Sequence, residues 1–443
     1  MAGRGETHGR SGGVSLARLG AMAAAALLWS AAPAYAGPEL DACAAAAASP
    51  FEAGYQDIGR HGAQVDVSAI DLCEGAVEAD PASLQAKAWL GRAHYYMGDV
   101  DEAARLLKQA SDGGIAIAQS LYGELLLGRS VVPEDAGAAE ALLKPLADTG
   151  FAQAQFDYAR MFDWGIGRDV DFTEAARWYQ LAADQGHPRA LYNLGNMYEL
   201  GDGVTQDYAQ ALRLYARSAE LQEPWGERGL GTLYERGLGV AVQDYVAALA
   251  HYERSAALGN RDAWVDAALL YQNGKGVPVD PDKAYEYYRK SADAGSGIGA
   301  FNVGVSYEQG IGVTADFAEA ARWHEIAIER GERLSYGNLG YLYTEGKGVP
   351  KDYDRARDLL EQGLAAGDPM SINNLAWLYE NGWGVDQDYV RARDLYRQAY
   401  DLGLDFAKGG LDAMEQLLAS GGTGGDDSGD SGAGGGKADK LKN

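Results

Sequence analysis

The chain has 443 residues, with 38 Lys and Arg against 64 Asp and Glu, and a formal net charge of −26. So acidic a surface argues against nucleic-acid backbones and anionic lipid, both of which need clustered basic side chains, and favours a basic or neutral partner. The hydrophobic content of 47% is ordinary for a folded chain.

Arg4, Arg10 and Arg18 give the N-terminus a positive start, Leu19 to Ala32 is an apolar run, and Ala34-Tyr35-Ala36 supplies small residues before Gly37. This is the pattern of a cleaved secretory signal over residues 1–36, and the run is too short and too Ala-rich for a membrane span. Cleavage removes three Arg and one Glu (Glu6), so the net charge moves from −26 to −28. The expected location is periplasmic or secreted, with no membrane span after cleavage.

Residues 37–80 predict two helices, about Pro38 to Ser49 and Val67 to Ala79, each holding one of the two cysteines, Cys43 and Cys73. In an oxidising compartment the pair forms one disulfide across a separation of 30 residues, worth roughly 3–4 kcal/mol in the chain-entropy description. The alternative is two buried thiols in Ala-rich helices. Residues 81–112 predict a hairpin, with Gly98-Asp99 between its helices and the small residues Ala88, Gly91, Ala103 and Ala104 for close approach. This unit resembles a tetratricopeptide hairpin.

From residue 113 to 403 the chain repeats itself. The punctuation Gly-x-Gly begins at Gly165, Gly201, Gly237, Gly274, Gly310, Gly346 and Gly382, at spacings of 36, 36, 37, 36, 36 and 36 residues. A degenerate copy, Gly128-Arg129-Ser130-Val131, precedes them. A fixed period of this size marks a helical repeat array. Three residues before each turn stands an aromatic (Phe162, Tyr198, Tyr234, Tyr271, Tyr307, Tyr343, Tyr379), and six before it Gly or Ala. Ten or eleven after it is always Ala, from Ala175 to Ala392. Small residues let paired helices approach closely. Pairs such as Asp207-Tyr208 and Asp352-Tyr353 predict helix starts with Asp as the cap.

The run Ala-Leu-Tyr-Asn-Leu-Gly-Asn-Met-Tyr-Glu-x-Gly-x-Gly-Val (Ala190 to Val204), followed by Asp-Tyr-x-x-Ala-x-x-x-Tyr (Asp207 to Tyr215), resembles the Sel1-like repeat family, tetratricopeptide relatives of about 36 residues. The resemblance implies an all-α fold, a right-handed superhelical solenoid of stacked helix-turn-helix repeats, and a scaffold or adaptor role, often in bacterial envelopes. The arrangement of Cys43 and Cys73 ahead of the array is similar to exported members of the family, rhizobial exopolysaccharide regulators among them. The chain departs from cysteine-rich members that carry a disulfide in each repeat.

Residues 404–420 predict a capping helix, needed where an array would otherwise expose an apolar end. Residues 421–443 are Gly, Ser and Asp with almost no apolar side chain, the composition of a disordered tail. Its Asp426, Asp427 and Asp430 lack the spacing and closing Glu of a calcium loop. His61, His94, His187, His251 and His324 have no second ligand at helical spacing, and they predict packing roles rather than a metal site. No nucleophile elbow, metalloprotease or phosphate-loop motif is present, and Gly295 to Gly299 falls in a between-repeat turn. The expectation is a protein that is not an enzyme and carries no cofactor or metal.

What varies between units is more informative. Positions nine and five before the turn glycine share a face of the first helix. The former reads Phe156, Tyr192, Arg228, Val265, Phe301, Gly337, Asn373, and the latter Arg160, Asn196, Thr232, Leu269, Val305, Tyr341, Trp377. In stacked hairpins the first helices line the concave side, which such folds use for binding. Phe156, Tyr192, Leu269, Phe301, Tyr341 and Trp377 are therefore the candidate contacts for a protein or peptide partner, in envelope assembly or signalling. The alternatives are simple packing between repeats, or a cell-envelope glycan held on Trp264, Trp377 and Trp383.

Overall fold

The computed structural model describes residues 37–52, 61, 64–128 and 134–421. The predicted signal, the turn residues 129–133 of the degenerate repeat and the tail from 422 onward lie outside the described residues. Among the described residues the chain forms 21 α-helices and no strand. They fall into two compact units, Met1–Gln185 and Gly186–Asn443.

The first unit holds α1 (Pro38–Ala47), α2 (Ser68–Ala79), α3 (Leu84–Met97), α4 (Val100–Asp112), α5 (Ala116–Leu126), α6 (Ala136–Asp148), α7 (Ala152–Asp163) and α8 (Phe172–Asp184). Cys43 and Cys73 form a disulfide between α1 and α2, with both residues fully buried. The Arg92 guanidinium on α3 donates to the carbonyls of Ala47 at 2.7 Å and Ala48 at 3.0 Å, where α1 ends. Buried Glu52 accepts from Ser49 N and from the Trp89 indole. The N-terminal helix is thus fixed by a covalent bond, a cationic cap on its last carbonyls and a carboxylate bridging to α3.

The second unit holds α9 (Pro188–Leu200), α10 (Tyr208–Glu220), α11 (Pro224–Arg236), α12 (Tyr245–Ala257), α13 (Ala263–Asn273), α14 (Pro281–Asp293), α15 (Gly297–Gln309), α16 (Phe317–Glu329), α17 (Ser335–Glu345), α18 (Tyr353–Ala365), α19 (Pro369–Asn381), α20 (Tyr389–Asp401) and α21 (Ala407–Ala419). They pair as hairpins, each packed on the next, so the unit is a solenoid. Every second helix of the seven repeats starts at an Asp side chain that caps it, from Asp171 through Asp352 to Asp388. Each such cap contributes about 1 kcal/mol.

Within a hairpin, the small residue six before the turn makes room for a ring on the second helix. A Cβ on Gly195 would lie 2.7 Å from Tyr215, and one on Gly304 2.8 Å from His324. That ring then bonds to a polar residue two before the turn: Tyr179 to Asp163, Tyr215 to Glu199, Tyr252 to Glu235, Tyr288 to Gln272 and Tyr396 to Glu380. His324 takes the same place, with Nε2 2.8 Å from Glu308. The exception is the hairpin of α17 and α18, where Thr344 bonds back to the Gly340 carbonyl and Leu360 fills the ring's place.

Between hairpins, the two turn glycines do different work. The first, such as Gly346 (φ 68°), ends the first helix in the left-handed conformation. The second, Gly348 (φ 70°), sits on the start of the preceding second helix, where a Cβ would lie 2.1 Å from the Phe317 carbonyl carbon. Gly239, Gly276, Gly312 and Gly384 make the same approach to Tyr208, Tyr245, Pro281 and Tyr353. The period seen in the sequence is the period of this contact.

The array ends at α21, which continues the repeat register only on one face. Leu411 and Met414 are buried, and Gly410 seats against the Tyr396 ring. Counting 36 residues on from Gly382, however, Asp412 stands where a small residue would admit a partner helix, and Glu415 where the aromatic would be. Lys408 pairs with Asp412 and Arg397 with Glu415. Charges on that face stop the stacking.

The turn from one hairpin to the next uses a left-handed glycine at Gly186, Gly259, Gly295, Gly331, Gly367 and Gly403, but Gln222 in the equivalent place, at φ 60°. We expect Gln222→Gly to stabilise the protein by about 1 kcal/mol, since a side chain in that conformation costs roughly that much. Gly331→Ala, with open space around it, should cost about 1–2 kcal/mol from conformation alone. Gly348→Ala should cost roughly 1–3 kcal/mol more through overlap with Phe317. Guanidinium unfolding of the three variants checks the order.

Candidate functional site

The two variable positions of the first helices have different fates. In the first unit both are withdrawn from solvent. Phe156 on α7 is 1% exposed, tilted against Tyr179 at 5.8 Å between ring centres, and it offers no surface to a partner. Arg160 is buried beside it, with Nη1 2.6 Å from Glu124 of α5. The expectation of a partner contact at Phe156 is not met, because the ring is enclosed against Tyr179 on the second helix of its own hairpin.

In the second unit the nine-before residues are mostly taken up by neighbouring side chains. Tyr192 is half-buried, stacked on Tyr215 at 5.6 Å, with Trp225 at 6.0 Å. Arg228 bonds to Asp266 at 2.6 Å and lies 5.6 Å over Trp225. Phe301 is half-buried against His324. Gly337 lets α17 and α19 close up, since a Cβ there would meet Met370 at 2.8 Å, and Asn373 is buried. The nine-before position is therefore largely structural, and of the residues expected there Tyr192 and Phe301 keep partial exposure.

The five-before residues behave otherwise. Leu269 is 40% exposed, and Val305, Tyr341 and Trp377 are each half-buried. Tyr341 accepts a hydrogen bond from Lys347 Nζ at 2.7 Å. Trp377 meets Trp383 nearly at right angles at 4.8 Å, and Trp383 stacks on Tyr353 at 5.5 Å. The late repeats thus carry a connected set of partly exposed rings. Trp264 is less open: it abuts Tyr287 at 4.9 Å and Lys290 lies over it at 4.9 Å. Sequence reasoning missed Lys347 and Tyr353. The signal for them is the residue after the first turn glycine, which lies over the aromatic starting the preceding second helix: Lys275 over Tyr245, Lys347 over Phe317, Trp383 over Tyr353.

The histidines are tied into the framework. His187 caps α9, its Nδ1 accepting from Ala190 N; His251 lies 2.7 Å from Glu227 and stacks on Tyr234; His324 is fully buried between Glu308 and Ser335. Among the described residues no group of three or more His, Cys, Asp or Glu is placed to hold a metal ion. No described helix is long and apolar enough to cross a membrane. One shallow depression of about 430 Å³ lies beside the turn of the 37-residue spacing, lined by Leu212, Tyr234 and Val240 to Asp244.

Beside Tyr192 and Trp225, Glu223 is almost buried at the start of α11. Burial raises its pKa above the usual 4.5, and Arg189 and the Trp225 backbone N–H offset this only in part. A carboxyl raised in the folded state contributes most below the unfolded pKa, and that contribution is lost as pH rises through the folded value. Glu223→Gln should therefore raise the melting temperature at pH 7, with the gain vanishing near pH 4. A paired melting series across that range checks it.

Seven segments match the Sel1 repeat: 152–187, 188–223, 226–260, 265–296, 297–332, 334–368 and 369–404, together more than half of the chain. Residues 67–113 match a tetratricopeptide repeat, taking in α2 as well as the hairpin expected over 81–112. Among solved structures, a protective antigen present in uropathogenic Escherichia coli strains, described as displaying an SLR fold, is 28% identical over 83% of this chain and 78% of its own, with a TM-score of 0.54. A Sel1 repeat protein from Oxalobacter formigenes is 28% identical over 55% of this chain and 96% of its own, at a TM-score of 0.48. An immunity protein from Pseudomonas aeruginosa is 18% identical over 57% of this chain and 83% of its own, at 0.34. No curated protein matches the chain.

Proposed function

The chain belongs to the Sel1 repeat family, and we propose that it is a non-catalytic adaptor of the cell envelope that binds a protein or peptide partner along the first-helix face of its late repeats. The observation that carries this reading is the split between the variable positions. Where repeats interdigitate, the variable side chains are used up in packing; at Leu269, Val305, Tyr341 and Trp377 partly exposed apolar surface remains on successive first helices. Aromatic side chains in such a row are the usual anchors of a docking face. The buried disulfide fits an oxidising, exported setting. A role in envelope assembly or in regulating a signalling partner follows the exported family members to which the Cys43 and Cys73 arrangement is similar.

A glycan ligand is the second reading, favoured by Trp377 and Trp383 lying together on the same face. Retention of envelope proteins on mature protein, residues 37–443, beside a Tyr341→Ala, Trp377→Ala variant of matched circular dichroism separates the readings. The adaptor reading expects one protein retained by the first and lost by the second. Retention by both removes the site assignment. Heat of binding to purified peptidoglycan or exopolysaccharide, with no protein retained, supports the glycan instead.

A further inference from the structure

The turn of the repeat between α17 and α18 holds two lysines without a carboxylate. Lys347 Nζ donates to the Tyr341 hydroxyl at 2.7 Å and lies 4.7 Å over that ring and 5.7 Å from the Phe317 ring centre. Lys351 Nζ is 3.5 Å from the Tyr353 hydroxyl and 5.5 Å over its ring. Among the described residues neither makes an ion pair. The contrast with an earlier repeat is direct: Lys275, at the same turn position as Lys347, pairs with Glu235 at 3.1 Å. The acid corresponding to Glu235, two before the turn, is Glu308, which lies 2.8 Å from His324 and makes no ion pair with Lys347. Of the acids nearest in sequence, Asp352 caps α18 by accepting from Arg355 N and Asp354 pairs with Arg357, while Glu345, two residues before Lys347, pairs with neither lysine.

These cations stand among the rings of the docking face. Tyr353, below Lys351, stacks on Trp383, and Trp377 stands nearly perpendicular to Trp383, so the three rings adjoin one another. The turn itself is held in place, because Gly348 sits on the Phe317 backbone and Gly346 is fixed at the end of α17. The lysines are therefore presented by a rigid seat, which reduces the ordering cost of binding.

We propose that this patch recognises an acidic peptide segment: carboxylates pair with Lys347 and Lys351 while neighbouring apolar or aromatic side chains pack on the partly exposed rings of Tyr341, Trp377 and Trp383. The inference rests on the adaptor reading and goes beyond it by fixing the charge of the partner. Charge complementarity carries it. In a chain of net charge −26, a local pair of unneutralised lysines accepts an acidic segment at one place, and the acidic remainder of the surface repels it elsewhere. Net charge alone points the other way, towards a basic partner, but at this site two cations would oppose one. Interactions beyond about 8 Å are largely screened at physiological salt, so the groups that touch the peptide weigh more than the net charge.

The test is a positional-scanning library of synthetic decapeptides, with polygalacturonate as a separate probe, in 0.15 M salt. Each is offered to the mature protein, to Lys347→Gln, Lys351→Gln and to Tyr341→Ala, Trp377→Ala, all matched by circular dichroism. The expected result is enrichment of Asp and Glu beside an aromatic or branched apolar residue, with binding of the enriched peptides weakened about tenfold or more in the lysine variant. Enrichment of Lys and Arg, or equal binding by the lysine variant, overturns the inference. If the aromatic variant loses binding while the lysine variant keeps it, the docking face stands and its charge preference falls. If no peptide is enriched, the docking face falls as well; binding of polygalacturonate alone then makes the glycan its occupant.

Discussion

Between successive hairpins of the second unit the chain makes a contact too close for any side chain, with Gly239, Gly276, Gly312, Gly348 and Gly384 resting on the first residues of the preceding second helix. At Gly348 and Gly312 the space for a Cβ is already taken by backbone 2.1 Å away. Because backbone meets backbone, the spacing of hairpins is set by covalent geometry rather than by the volume of interchangeable side chains. The capping Asp at the start of each second helix fixes the other side of the contact. Stacking in this manner makes stability a sum of units and nearest-neighbour interfaces.

Within every Sel1 hairpin but that of α17 and α18 the corresponding restraint is a ring opposite a glycine or alanine. The ring excludes water, and its hydroxyl finds an acceptor two residues before the turn, so the polar end is satisfied where it is buried. Burial and the neighbouring Glu199 push the Tyr215 hydroxyl upward, so it stays a proton donor to that carboxylate. His324 substitutes for tyrosine in this role and draws Glu308 to itself. One repeat later Lys347 lies over Tyr341 and Phe317, without the carboxylate that Lys275 has in Glu235. A replacement inside a hairpin thus accompanies a changed charge on the surface.

With these restraints met by a fixed set of positions, the rest of the first-helix face is free to vary. The early array spends that freedom on packing, as in the buried pair of Arg160 and Glu124. The late array leaves rings partly open and lysines unneutralised. Chemistry of recognition, rather than of catalysis, is what such a surface supplies.

The sequence by itself determined the helical repeat, its register, the Asp caps and the glycine turns, because each is a local requirement that returns at every period. It also offered the cysteine pairing as one of two readings. Only the tertiary structure separated the two variable positions. Phe156 and Tyr341 both look like aromatic residues at a free position, yet Phe156 is enclosed against Tyr179 and Tyr341 is partly open, a difference set by tertiary packing. The carboxylate missing from Lys347 was equally hidden, because the corresponding acid, Glu308, lies in the previous repeat and beside a histidine on a third helix. Contacts of that kind join residues some 16 to 40 positions apart, and no local pattern encodes which partner wins.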